Sequence, residues 1–112
     1  MGYLEKLGNH LFSQETVGQF AIVGCCRLWT RTAILETQNW ARQGGLALEI
    51  EAREIMASPG LDHTFLRVSF GGERYVYDGA GTLKIVPWWG PEAGSRYEGS
   101  KPDMIQRLME VI

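Results

Sequence analysis

The residues with the clearest potential for chemistry are two adjacent cysteines, Cys25 and Cys26, which follow Gly24 where a helical pattern begins. A thiol in the first turn of a helix lies near unpaired backbone N–H groups and the positive end of the helix dipole. Both features stabilise a thiolate, and a nearby imidazolium lowers the pKa of the cysteine further from its free value of about 8.5. Such a thiolate can attack an acyl carbon while a backbone N–H of the same turn stabilises the oxyanion.

A base and a carboxylate, His63 and Asp78, lie on the two arms of a predicted hairpin. The two-residue loop Gly71-Gly72 is typical of tight hairpins, and it sets the register of the strands. The predicted pairs are Phe70 with Glu73, Val68 with Tyr75, Leu66 with Tyr77, and Phe65 with Asp78. His63 then shares a sheet face with Asp78, with the two backbones about 7–8 Å apart, so their side chains can form a hydrogen bond. A three-residue loop would move Asp78 to the opposite face.

Hydrophobic periodicity predicts the elements that position these side chains. Helices are expected over residues 2–12, 26–43 and 100–109, strands over 46–56, 63–70, 74–78 and 82–86, and irregular chain over 88–99. The central helix carries a stripe that includes Trp29, Ala33, Thr37 and Trp40, and it ends at Gly44-Gly45. Cys26 belongs to the same stripe. The last helix is expected to begin at Ser100, as an N-cap with Asp103 three residues on.

This order predicts an α+β fold in which a central helix bearing the cysteine packs on a small antiparallel sheet of about four strands. The length of 112 residues is that of one domain, spanning 1–112. The net charge of −2 and the mixed charges predict no nucleic-acid partner. No apolar run reaches the roughly 20 residues that cross a bilayer, so we expect no membrane partner.

The redox state and location follow from the cysteines and the N-terminus. Adjacent cysteines cannot join distant segments by a disulfide, so we expect reduced thiols. Residues 1–13 lack a basic segment followed by an apolar run, which is the pattern of a signal peptide. Cytoplasmic location is therefore the default expectation, although a non-classical secretion route leaves no such mark.

Three short motifs together carry a family resemblance. They are G-x-C-R at residues 24–27, H-x-aromatic-aliphatic-x-V at 63–68, and aromatic-V-Y-D at 75–78. In order and approximate spacing the chain resembles the transglutaminase-like branch of the papain-like cysteine enzymes, over about half its length. Small papain-fold toxin and deamidase domains are similar in length, and the much larger arylamine acetyltransferases are similar around the second and third motifs.

The resemblance implies a papain-like fold and a Cys-His-Asp triad that acts on an amide or ester. Cys26 would be the nucleophile, His63 the acid and base, and Asp78 the group that orients the imidazole. The implied function is a cysteine-dependent hydrolase or acyltransferase of protease, deamidase or transglutaminase type, without a cofactor. Because nothing resembles a large second lobe around a cleft, the expected substrate is a protein or peptide side-chain amide.

Several assignments stay open at this point. Cys25 competes with Cys26 for the role of nucleophile, and Gln19, six residues before Cys25, has a spacing similar to that of the oxyanion-hole glutamine in papain. Trp88 and Trp89 can form a substrate-binding platform, or pack a loop against the core. No Cys-x-x-Cys or His-x-x-x-His spacing indicates a metal site. A non-catalytic protein-binding domain, or an inactive relative of the same fold, is the alternative to an enzyme.

Overall fold

The longest helix of the computed structural model begins at Cys26 and positions the candidate thiol. The model describes residues 2–21, 24–84, 86–92, 95–102 and 104–110. The elements along the chain are α1 (Tyr3–Ser13), α2 (Glu15–Gly18), α3 (Cys26–Gly44), β1 (Glu49–Ser58), β2 (Leu61–Phe70), β3 (Glu73–Asp78), β4 (Trp88–Pro91), α4 (Ser95–Glu98) and α5 (Ile105–Glu110). The protein is therefore α+β, as predicted.

Helix α3 forms as its sequence predicts. Trp29, Ala33 and Thr37 recur every four residues, and all three are buried against the sheet. Gly45 ends the helix in the left-handed conformation, with φ of 65°, and its N–H bonds to carbonyls of the last turn. The predicted helix is confirmed and extends one residue further, to Gly44.

The four strands form one antiparallel sheet in the order β1-β2-β3-β4. Gly71 and Gly72 have φ of 60° and 84°, which a two-residue hairpin of the mirror-image type requires at both positions. Phe70 pairs with Glu73 and Leu66 with Tyr77, so the predicted register of β2 and β3 is confirmed. Because side chains alternate along each strand, this register assigns His63 and Asp78 to the same face of the sheet.

The two faces of the sheet are covered differently. One face packs on α1 and α3, and its core includes Leu66, Val68, Tyr75 and Tyr77 together with apolar residues of the helices. The other face carries a smaller cluster of Ile55, Phe65, Val76 and Tyr97, the last of these from α4. His63 and Asp78 lie on this second face, beside the smaller cluster.

The predicted strand over 82–86 is wrong. Thr82 and Leu83 have φ of 57° and 73°, and this left-handed backbone turns the chain instead of extending it. The fourth strand is β4, within the segment that was expected to be irregular. Residue 85 lies outside the described residues.

The start of the last helix is also wrong as predicted. Helix α5 begins at Ile105, so Ser100 is not its N-cap; the Ser100 hydroxyl instead accepts a hydrogen bond from the buried guanidinium of Arg53. Asp103, the other half of the expected cap, lies outside the described residues. Within the described parts of the chain, no helix is both long and apolar enough to cross a membrane.

Candidate active site

His63 and Asp78 form a hydrogen bond in the interior of the protein. His63 Nε2 lies 2.8 Å from Asp78 Oδ1, and both side chains are completely buried. The bond joins the third residue of β2 to the last residue of β3, which the hairpin register brings close together. This is the dyad that the sequence predicted.

The chain that follows β3 folds back to hold the Asp78 carboxylate. The Ala80 N–H donates to Oδ1 at 2.9 Å, and the Thr82 N–H donates to Oδ2 at 2.7 Å. The positive φ of Thr82 and Leu83 accompanies this return of the chain. Asp78 thus begins a turn, a common task for aspartate, and also contacts His63.

A residue from a later element completes the surroundings of this carboxylate. The Tyr97 hydroxyl, on α4, donates to Asp78 Oδ2 at 3.1 Å and also bonds to the hydroxyl of Thr82. Burial alone would raise the pKa of Asp78. Its hydrogen bond with His63, the charge of His63, and the N–H groups of Ala80 and Thr82 outweigh burial, and the pKa is lowered. Asp78 is therefore a buried anion with every oxygen partnered.

Cys26 is the first residue of α3, and Cys25 is its N-cap. Cys25 has non-helical φ and ψ of −108° and 17°, and its side chain makes no capping hydrogen bond. Its carbonyl accepts the N–H of Trp29 at 2.8 Å, which is the first bond of the helix. With no side chain of Cys25 capping this end, the first-turn N–H groups of α3 remain available as donors next to Cys26.

Two contacts hold this end of α3 against the strands. The buried Thr30 hydroxyl donates to the carbonyl of Thr64 in β2 at 3.2 Å. Gly79, just beyond β3, packs against the Trp29 indole so closely that a Cβ there would lie 2.3 Å from the ring. The glycine allows the first turn of α3 to approach the end of β3, and this places Cys26 beside His63.

The thiol and the imidazole stabilise each other's charged forms. Burial opposes ionisation of Cys26, but the neighbouring His63 imidazole, the Thr64 backbone and the charge of His63 outweigh burial and lower the pKa of the thiol. Burial likewise opposes protonation of His63, but its interactions with Asp78 and Cys26 raise the pKa of the imidazole to about 9. The two groups thus shift each other toward thiolate and imidazolium.

The two ring nitrogens of His63 have different surroundings. Nε2 bonds to Asp78, whereas Nδ1 is buried and has no hydrogen-bond partner among the described residues. Nδ1 is consequently the nitrogen available to exchange a proton with Cys26. Of the two cysteines, Cys26 is the one that interacts with His63; Cys25 is half-buried at the cap position.

The structure does not bring the other predicted site residues into this cluster. Gln19 lies at the exposed C-terminal end of α2, and its side chain makes no hydrogen bond with another described residue. Trp89 stacks on Tyr75 and Tyr77 and lies against Gly8 of α1, so it belongs to the core. Trp88 points to the opposite side of β4, where its partly exposed ring stacks on Tyr97 at 5.8 Å.

Sequence reasoning missed Tyr97 and Thr82 as partners of Asp78. Tyr97 falls in a segment without hydrophobic periodicity, and Thr82 falls in a segment whose pattern predicts a strand. No local pattern therefore indicated that either residue contacts Asp78.

Among the residues that the structure describes, no three His, Cys, Asp or Glu side chains are grouped so that they could hold a metal ion.

Comparisons of the chain with family models, with curated proteins and with solved structures found no match.

Proposed function

We propose that the protein is a cysteine-dependent hydrolase or acyltransferase that acts on an amide or ester through Cys26, His63 and Asp78. The observation that carries the proposal is the fully buried bond of 2.8 Å between His63 and Asp78, beside a thiol at the N-terminus of α3. A buried ion pair that only stabilised the fold would not need a half-exposed thiol next to its imidazole. Perturbed pKa values in three adjacent groups are a mark of functional sites.

The proposed chemistry begins with proton transfer from the Cys26 sulfur to Nδ1 of His63. The thiolate attacks the carbonyl carbon of the substrate, and first-turn N–H groups of α3 donate to the oxygen that becomes negative. The Nδ1 proton then moves to the leaving amine or alcohol, and a thioester on Cys26 remains. Water or an acceptor amine attacks the thioester, gives a proton to Nδ1, and the sulfur leaves as thiolate.

Asp78 has an electrostatic and orienting role in this scheme. Its bond to Nε2 keeps the proton on that nitrogen when the imidazole is neutral, so that Nδ1 faces the thiol as the base. The donors around Asp78 keep the carboxylate ionised in a site without water contact. The buried dyad and the thiol at the start of α3 support a papain-like arrangement of the transglutaminase-like type, in which the cysteine lies on a helix and the other two residues on neighbouring strands.

The proposal is tested by the reactivity of the two cysteines. The native protein is treated with iodoacetamide between pH 5 and 10, and the adducts are located by mass spectrometry. We expect Cys26 to react rapidly at pH 6, and this reactivity to be lost in His63→Ala. Cys25→Ser is the matched control, because it removes the neighbouring thiol and leaves the contact with His63 in place.

Two outcomes would contradict the proposal. Slow labelling of both cysteines that does not depend on His63 would favour a non-catalytic binding domain. Rapid labelling without turnover would indicate an inactive relative, so a second assay uses p-nitrophenyl acetate. We expect a burst of p-nitrophenolate, an acetyl group on Cys26 in the mass spectrum, and continued release that is absent in Cys26→Ser.

A further inference from the structure

A groove runs along the side of the molecule on which Tyr97 and Thr82 hold Asp78. It consists of two adjoining cavities of about 360 Å³ and 480 Å³, which share Thr82 and Arg96 in their walls. Each volume lies in the range of ligand-binding pockets. The groove extends from Met56 on the β1–β2 hairpin, past Arg96, to the Trp88 indole.

Three exposed apolar side chains line this groove. Met56 is 67% exposed, Val86 66% and Trp88 39%, and all three line its walls. The Trp88 ring is held flat by stacking on Tyr97, with an angle of 7° between the planes. An indole fixed in this way offers a rigid apolar surface at little cost in conformational entropy, as aromatic residues do in binding sites.

Two cations lie among these apolar residues. Arg96 stands where the two cavities join, and Lys84 lies at the end next to Val86. Neither forms a salt bridge with a described carboxylate, whereas Arg67 and Arg74, on the same sheet, are both paired with Glu92. The groove therefore combines apolar walls with two cations that are not engaged in a salt bridge with a described carboxylate, which is complementary to a ligand that carries an apolar group next to an anion.

We propose that this groove binds a peptide segment of the substrate in which a bulky apolar side chain is adjacent to an acidic one. The apolar side chain would lie on Trp88, against Val86, and the carboxylate would pair with Arg96. An extended peptide fits the elongated shape better than a compact ligand does. The inference rests on the proposed function, because the peptide is taken as part of the substrate whose amide Cys26 attacks.

The test measures peptide binding without catalysis, in the full chain with Cys26→Ser. The probes are acetyl-Gly-Gly-Leu-Glu-Gly-Gly-amide, its Glu-Leu isomer, the Leu-Gln analogue and the Ala-Glu analogue, titrated while the indole N–H of Trp88 is followed by NMR. We expect the Leu-Glu peptide, its Glu-Leu isomer or both to shift this signal. The Leu-Gln and Ala-Glu analogues should bind more weakly. The loss on replacing Glu by Gln should be about three- to five-fold, as for a partly exposed ion pair.

Variants of the groove identify the contacts. Arg96→Gln should remove the preference for Glu over Gln. Trp88→Ala should weaken all four peptides; because this variant lacks the indole, its binding is followed by the backbone amide signals of Thr82 and Lys84, which line the same cavity. Arg42→Gln and Leu35→Ala, both on the exposed surface of α3, are the matched controls and should bind as the parent does.

Equal binding of the Glu and Gln peptides, or a preference that survives Arg96→Gln, would overturn the inference. So would the absence of any shift at millimolar peptide. Its failure is distinct from failure of the proposed function: unreactive Cys26 with intact peptide binding refutes the chemistry alone, and reactive Cys26 without binding refutes the groove alone.

Discussion

Replacing Asp78 by asparagine removes one charge from the buried site and keeps its shape. The carboxylate accepts four hydrogen bonds, from His63 and the Ala80 N–H on Oδ1, and from the Thr82 N–H and the Tyr97 hydroxyl on Oδ2. In the variant, one of the two oxygens becomes an NH₂ group. If the NH₂ takes the Oδ2 position, it meets the Thr82 N–H, and two donors face each other in the interior.

The expected effects follow from the loss of the charge and of one acceptor. A hydrogen bond to a charged group contributes about 1.5–3 kcal/mol. Losing that contribution should raise the ratio of the neutral thiol and imidazole to the thiolate–imidazolium pair by about 10- to 100-fold. A buried donor without a partner costs about 1–3 kcal/mol of folding free energy. Asp78→Asn should therefore lower both the thiolate population of Cys26 and the stability of the protein.

The assay is the pH profile of Cys26 alkylation, with urea unfolding as the measure of stability. At pH 6 we expect Cys26 to react at least about ten-fold more slowly in the variant, while its reactivity above pH 9 approaches that of the parent because the free thiol ionises there. Comparison at matched folded fraction separates the two effects. An unchanged alkylation profile in a folded Asp78→Asn protein would refute the coupling of Asp78 to the thiol through His63.

Three further predictions concern stability. In Cys26→Ser, Asp78 still raises the pKa of His63 in the folded state. The free energy of unfolding should therefore fall as the pH rises above about 6.5, because the folded protein holds a proton that the unfolded chain has lost. In the parent, the lowered pKa of Cys26 opposes this fall. The difference between the free pKa of His63, about 6.5, and its folded-state pKa, about 9, limits the loss of unfolding free energy to about 3 kcal/mol. Urea unfolding at several pH values measures it. Gly8→Ala places a Cβ 2.3 Å from the Trp89 ring and should cost about 1–3 kcal/mol in thermal or urea unfolding, despite the higher helix propensity of alanine. Arg67→Met removes the buried guanidinium that bridges Glu51 and Glu92. Because Arg53 and Arg74 still pair with these carboxylates, the cost should be about 1–3 kcal/mol in the same measurement.

Each of these predictions has a control or a contradicting result. Equal pH dependence in Cys26→Ser and the parent would show that the thiol and the imidazole titrate independently. Gly18→Ala meets no atom within 4 Å and should leave stability unchanged or raise it. Arg74→Met removes an arginine whose side chain is 61% exposed and should cost at most about 1 kcal/mol. A loss as large as that of Arg67→Met would contradict the argument from burial.

Local patterns in the sequence were sufficient for the dyad and for the helix that carries the thiol. The Gly71-Gly72 loop determines the hairpin register, because both glycines readily adopt the positive φ that a two-residue turn needs. Strand alternation then puts His63 and Asp78 on one face. The four-residue recurrence of small and aromatic residues after Cys26 likewise determines where α3 begins and which side is buried.

The segment between β3 and β4 shows why other elements were not predictable. The sequence around Thr82 and Leu83 is typical of a strand. The backbone nevertheless turns there, and the Thr82 N–H donates a hydrogen bond to the buried Asp78 carboxylate. The carboxylate requires such a donor only once Asp78 is in the interior. The cap predicted at Ser100 failed for a similar reason, since its hydroxyl bonds to Arg53, 47 residues away in the chain.

What the sequence by itself determined about this protein is therefore local: the turn that sets one hairpin register, the start of α3 at the cysteines, and the face shared by His63 and Asp78. Only the tertiary structure decided that Tyr97, 19 residues beyond Asp78, closes over the carboxylate, and that Trp88 faces solvent while Trp89 enters the core. It also distinguished Cys26 from Cys25, by bringing one thiol to His63. These outcomes depend on how α3 and α4 pack against the sheet, and no pattern of neighbouring residues encodes contacts between segments so far apart in the chain.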